Sequence, residues 1–206
     1  YKRVMYMNEL FNVNNKVIYD INTTILYTSS FNYTDDAIYY LNNNCIVITK
    51  DRGMDTFEIP NDIFELFHEE KLIHKKDLTK IDELKLKILA SLNTNKTVFV
   101  FFDVLTYLDK DFKERLIRYL ILNKKRIINY TTDIEETLLL DYLVVLHENK
   151  IIMEGKKELV LQEEKILKKL GFNLPFIVEL SNGLKYYGVI DKVYFNNEEL
   201  VNVLWK

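Results

Sequence analysis

Asp103 and Asp109 are the residues best placed for chemistry. Asp103 follows the apolar run Val98–Phe102, and Asp109 comes six residues later, ahead of a helical pattern. A carboxylate at the end of a buried strand can hold a divalent cation beside a phosphate. The same two residues also have plain structural uses, as a strand end and a helix N-cap, and spacing alone leaves both readings open. Other reactive groups are sparse. Cys45 is the only cysteine and sits in an apolar run, which excludes a disulfide framework and a cysteine metal site. His68, His74 and His147 are scattered and read as surface or loop residues.

The elements that would position Asp103 and Asp109 can be read from periodicity. Val4–Asn12 and Lys16–Ile25 read as strands separated by an Asn14-Asn15 turn, with a polar loop at Thr28–Tyr33. A helix is expected from Thr34 to Leu41, then a strand over Asn44–Thr49 and a helix after Pro60 using Phe64, Leu66 and Phe67. Leu78–Leu92 has helical spacing through Leu84, Ile88, Ala90 and Leu92. Thr97–Phe102 is apolar throughout, as in parallel sheets covered on both faces. A helix capped by Asp109 runs to Leu122 with Phe112, Leu116, Tyr119 and Leu120 inward. Arg126–Tyr130 is a strand, Asp133–Leu139 a short helix, and Tyr142–Leu146 with Lys150–Met153 a hairpin around Glu148-Asn149. Beyond Gly155 the pattern becomes helical: one helix through Leu159, Val160, Ile166, Leu167 and Leu170, a second over Phe176–Tyr187, and a third over Glu198–Trp205.

Strands alternating with helices up to residue 155 indicate a parallel-rich α/β layout. A net charge of −3, evenly spread, gives no electrostatic footprint for nucleic acid. No stretch approaches the roughly 18 apolar residues of a membrane span, and Tyr1–Met5 lacks a secretory apolar region.

Three segments carry a family resemblance. Asp103-Val-Leu-Thr-Tyr-Leu-Asp109 resembles the D-E-P-T-x-x-L-D element of ATP-binding cassette (ABC) ATPases, with Thr106 also matching and, one residue shorter than the pattern, Leu108 and Asp109. Tyr130-Thr-Thr-Asp-Ile-Glu-Glu136 resembles their V-T-H-D-x-x-E switch, and Asp141–Gly155 resembles the D-R-V-x-V-L-x-x-G-K-I-x-x-E-G hairpin that closes the core. Leu170-Gly-Phe-Asn-Leu-Pro175 and Glu198-Glu-Leu-Val201 are similar to tail elements of the energy-coupling factor (ECF) branch, the cobalt- and vitamin-type transporters. The chain is thereby identified as resembling a degenerate ATP-binding subunit of that branch. The resemblance is good from about residue 97 onward and weak before it.

The resemblance implies a P-loop-NTPase-like ABC core over residues 1–155, with a reduced helical subdomain, and an ECF-type dimerisation domain over 156–206. It puts Asp103 at the Mg2+ position and Asp109 at the D-loop. The phosphate loop then falls on Thr28, Phe31, Tyr33, Thr34 and Asp35, where G-x-x-G-x-G-K-[ST] belongs. Glycines there let backbone N–H groups curl around a phosphate, yet no glycine precedes Gly53. Thr34 replaces the lysine, and Asp35 replaces the Mg2+-binding hydroxyl. Val104 stands at the catalytic glutamate position and Thr132 at the switch histidine. Leu78-Thr-Lys-Ile-Asp82 stands where the L-S-G-G-Q signature belongs, and the only glutamine is Gln162.

ATP and Mg2+ are the family's ligands, and these replacements predict that binding and turnover are impaired. The implied partners are a second copy or an intact ABC paralogue, and a transmembrane coupling subunit at the cytoplasmic face of the cell membrane. The implied activity is uptake of a micronutrient, vitamin or metal ion. Two alternatives stay open at this stage: a divergent but active transport ATPase, and a non-transporter interaction protein on the same scaffold.

Overall fold

A computed structural model describes residues 9–13, 16–19, 21–28, 45–50, 58–148 and 150–205. Its strands are β1 (Glu9–Val13), β2 (Lys16–Tyr19), β3 (Thr23–Tyr27), β4 (Ile46–Ile48), β5 (Val98–Phe102), β6 (Arg126–Thr131), β7 (Tyr142–His147) and β8 (Lys150–Lys156). The helices are α1 (Asn61–Phe67), α2 (Lys80–Leu92), α3 (Lys110–Leu122), α4 (Lys157–Val160), α5 (Glu164–Lys169), α6 (Phe176–Tyr186) and α7 (Asn197–Leu204). They fall into two compact units, one holding residues 1–21 and 33–130, the other residues 22–32 and 131–206.

In the first unit, β1 and β2 form an antiparallel hairpin, and β4, β5 and β6 pair in parallel. Every residue of β5 is buried, as its unbroken apolar run requires of a strand covered on both faces. α2 turns Leu84, Ile88, Ala90 and Leu92 inward, as its spacing predicts. α3 buries Phe112, Leu116 and Leu120, with Ile117 inward as well. α1 buries Phe64 and Phe67, while Leu66 is 52% exposed, because on a helix residue 66 lies off the face shared by 64 and 67. The Phe67 ring packs 5.3 Å from Phe112, and Arg115 donates to the Phe67 carbonyl at 2.9 Å, which fixes the end of α1 on α3.

In the second unit, β3 pairs in parallel with β7, and β7 pairs antiparallel with β8. The hairpin β7–β8 matches its expected place and continues to Tyr142 opposite Lys156; Asn149, expected in its turn, lies outside the described residues. A single cluster buries Leu26 of β3 and Leu143 and Val145 of β7 with Val160, Leu167, Ile177, Val178 and Leu200 of the helices.

Some expectations need correction. The strand expected over Lys16–Ile25 is two strands, β2 and β3, interrupted before Thr23. The helix expected from Leu159 to Leu170 is two short ones, α4 and α5, with Leu159 turned out at 62% exposure. Asp133–Leu139 forms a 3-10 turn over Ile134–Leu138, tighter than an α-helix. The helix expected over Thr34–Leu41 lies outside the described residues.

Candidate functional site

In the first unit, β5 ends at Phe102, whose ring stacks on Tyr130 of β6 at 4.3 Å. Asp103 is therefore the first residue past the strand, not its last. Its backbone is left-handed, with φ of 48°, and its N–H donates to the Tyr130 carbonyl at 2.9 Å. Such a conformation costs a non-glycine residue about 1 kcal/mol or more, and the hydrogen bond helps to hold it. Val104 is completely buried. Leu105–Tyr107 makes a 3-10 turn that exposes Thr106 and Tyr107. Asp109 then caps α3, its Oδ1 accepting from the Phe112 N–H at 2.9 Å.

The other oxygen of Asp109 meets Lys85, on α2, at 2.6 Å. Lys85 also pairs with Glu69, and both of those side chains are nearly sealed from solvent. Desolvation pulls the Lys85 pKa down, but hydrogen bonds to Asp109 and Glu69 and their negative charges outweigh it, so Lys85 stays above its ordinary value. Asp109 shows the mirror image. Burial pushes it up, while Lys85 and the Phe112 N–H hold it below the usual carboxylate range.

The segment ahead of α2 is also closed on itself. Thr79 is the N-cap, its Oγ1 accepting from the Asp82 N–H at 3.1 Å, and Asp82 accepts in return from the Thr79 N–H at 2.8 Å. This reciprocal pair is a capping box. Lys75 donates to the same Asp82 carboxylate and, with Thr79, holds it well below the usual carboxylate range.

In the second unit, Thr28 follows β3 and shares a hydrogen bond of 3.1 Å with Nδ1 of His147, at the end of β7. Of the residues expected at the phosphate loop, Thr28 is described; Phe31, Tyr33, Thr34 and Asp35 lie outside the described residues. Thr132 is exposed. Beside it, the Asp133 N–H donates to Thr131 Oγ1 at 3.0 Å, and Asp133 accepts from the Glu135 N–H at 3.0 Å.

The chain thus gathers Asp103, Val104, Asp109 and Lys85 on one unit, and Thr28, His147 and the Thr131–Glu135 turn on the other. No group of three or more His, Cys, Asp or Glu side chains suited to a metal occurs among the described residues. Sequence reasoning missed Lys85, Glu69 and the Thr79–Asp82 pair. The Thr-x-x-Asp spacing before an apolar helix was the available signal for the pair.

Comparison with known proteins bears on what this arrangement descends from. The chain is 26% identical over 178 residues to the energy-coupling factor transporter ATP-binding protein EcfA1 of Ureaplasma parvum, covering 84% of this chain and 59% of that protein. It is 25% identical to the EcfA1 of Geobacillus kaustophilus, covering 83% and 62%. Over a shorter span of 82 residues it is 37% identical to the EcfA1 of Ligilactobacillus salivarius, which is 39% of this chain and 29% of that one.

The chain is a homologue of the ECF transporter ATP-binding proteins. No family model matches it. This ECF homologue spans 59% and 62% of the length of the first two relatives. Its fold is that of an ABC ATPase. It superposes with a TM-score of 0.54 on cbiO1 of Clostridium perfringens, part of the ABC transporter complex cbiONQ, at 16% identity over 75% of this chain and 86% of that one. A bacterial Atm1-family ABC exporter solved with ATP bound gives a TM-score of 0.57 at 10% identity, over 75% of this chain and 37% of the exporter. The mixed α/β, P-loop-NTPase-like architecture expected of the ECF homologue is thus the one observed. No helix among its described residues is long and apolar enough to cross a membrane.

Proposed function

We propose that this chain is a pseudoATPase of an ECF-type transporter, a subunit that keeps the scaffold and its contacts and has given up nucleotide turnover. The observation that carries the reading is the capping box at α2. In the family resemblance, the loop at Leu78–Asp82 is a signature whose glycines leave a helix N-terminus open to a phosphate. Here Thr79 Oγ1 takes the Asp82 N–H, and the Asp82 carboxylate is fixed beside the same helix end. A helix N-terminus favours anions only while its donors are free, and a resident carboxylate repels a triphosphate.

Val104 supports the same reading. At the position where the family places its catalytic glutamate there is a side chain with no polar atom, completely buried. Thr132, at the switch position, offers a hydroxyl where the family has an imidazole. Mg2+-ATP therefore fits these residues poorly. Asp103 would remain as the magnesium carboxylate, Asp109 as the D-loop aspartate, and Thr28 as the first residue of a degenerate phosphate loop.

In this proposal residues 1–155 are the degenerate core and residues 156–206 the dimerisation domain. The partner is a second copy or an intact paralogue, and a transmembrane coupling subunit holds the pair at the cytoplasmic face of the membrane. The cargo would be a micronutrient, vitamin or metal ion selected by another component. One observation favours an active ATPase instead: Asp103 does follow a buried strand, within reach of an Mg2+ role. Titration of the chain with Mg2+-ATP to millimolar concentration in a calorimeter separates the two readings. No saturable, Mg2+-dependent heat is expected. A stoichiometric site that disappears with EDTA would overturn the pseudoATPase reading.

A further inference from the structure

We infer that Glu135 ties the turn after β6 to the N-terminus of α6, so that a load on the C-terminal helices is transmitted to Thr132. This deepens the proposal above, since it rests on Thr132 standing at the switch position.

Three hydrogen bonds run in series through this part of the second unit. The Asp133 N–H donates to Thr131 Oγ1 at 3.0 Å, the Glu135 N–H donates to Asp133 Oδ1 at 3.0 Å, and the Phe176 N–H donates to Glu135 Oε1 at 2.7 Å. The last of these spans 41 residues of chain and is the shortest. α6 needs it, because its N-cap is Pro175, which supplies no side-chain cap. The first N–H groups of a helix require outside acceptors, and a carboxylate also suits the positive end of the helix dipole. Glu135 provides both from the turn.

Packing follows the same route. Ile134 and Leu138 of the turn lie against the cluster that contains Ile177 and Val178 of α6. The Thr24 hydroxyl donates to the Glu136 carbonyl at 3.5 Å, and Lys157 donates to the Leu138 carbonyl at 2.9 Å. The turn is thus fastened at Glu135, Glu136 and Leu138, just after Thr132, to α6, β3 and α4. A displacement of α6 cannot leave the turn in place without breaking the Glu135 bond. Phe176 and Leu180 on α6 are exposed, at 66% and 40%, so this helix has apolar surface on which a load can act.

Hydrogen–deuterium exchange of the full chain, read peptide by peptide, tests the link without nucleotide or partner. Phe176→Pro removes the donor at the first helical position, where proline is otherwise tolerated, and Phe176→Ala controls for the lost ring. Relative to Phe176→Ala, Phe176→Pro should speed exchange over residues 133–138 by roughly tenfold, the size of one charge-assisted hydrogen bond. Glu135→Ala should speed exchange at residues 176–179 to a similar extent. Glu135→Gln keeps an acceptor oxygen and should restore most of the protection.

Unchanged exchange over 133–138 in Phe176→Pro would overturn the inference. If that variant does not fold, unchanged exchange at 176–179 in Glu135→Ala would overturn it as well. A negative result removes the link and leaves the pseudoATPase reading standing. An Mg2+-ATP site found by calorimetry would do the reverse.

Discussion

Lys85 Nζ lies 2.6 Å from the Asp109 carboxylate and pairs on its other side with Glu69, so one buried ammonium joins α2, the α3 cap and the turn after α1. Lys85 and Glu69 have side-chain exposures of 8% and 6%. Ions that deep depend on each other, because removing one leaves the other charged and dry.

Lys85→Met should therefore destabilise the chain by about 3–5 kcal/mol. Lys85→Met combined with Glu69→Leu should recover a large part of that loss, since the stranded carboxylate is then gone. Urea unfolding of the two single variants and the pair measures the coupling. Additive losses would show that the bridge contributes no interaction of its own.

Asp82 makes stability depend on acid. Its pKa is held below the ordinary 3.8 by Lys75 first and then Thr79, so folding favours its ionised form. The stabilisation is complete above about pH 3.8 and is lost as pH falls through the folded value. Asp82→Asn should lower thermal stability at pH 7 and flatten its fall in acid. Thr79→Ala, which removes the cap and a hydroxyl that donates to Asp82, should cost about 1 kcal/mol or more at pH 7 and less in acid. Melting curves between pH 3 and pH 7 check both.

The C-terminal helices should not be dispensable. Leu167 is fully buried in the cluster that also covers Leu26, Leu143 and Val145. Leu167→Ala should cost about 2–5 kcal/mol. Truncation after Lys156 bares those three side chains and should give an insoluble or aggregated product. A monodisperse, cooperatively melting fragment would contradict this.

Cys45 should be inert in the folded state. It is 2% exposed, and burial, offset in part by nearby Lys96, pushes its thiol up to about 11. At pH 8 the thiolate is scarce, so maleimide labelling should be slow until denaturant is added. Prompt stoichiometric labelling without denaturant would refute this.

Much of the fold was legible beforehand because its signals are local. The apolar run of β5 reads as a strand covered on both faces. Asp109 before the α3 pattern reads as an N-cap, and the Tyr142–Gly155 hairpin matches a motif in order and spacing. The errors fell where local signals compete. Lys16–Ile25 has continuous β character, yet the chain breaks before Thr23; Leu159 fits a helical stripe, yet α4 ends at Val160 and turns it outward.

The α/β class and the likeness to ECF ATP-binding proteins were legible from the chain alone. Each of these is a statement about residue type and spacing. Packing in three dimensions was needed to see that Asp103 takes a left-handed conformation, that Lys85 joins Glu69 to Asp109, and that Glu135 caps α6. These pairs stand 16, 24 and 41 positions apart in the chain. Periodicity reports which face of an element is buried. Which charge finds which partner across such distances is settled when the elements pack and most buried polar groups find a partner.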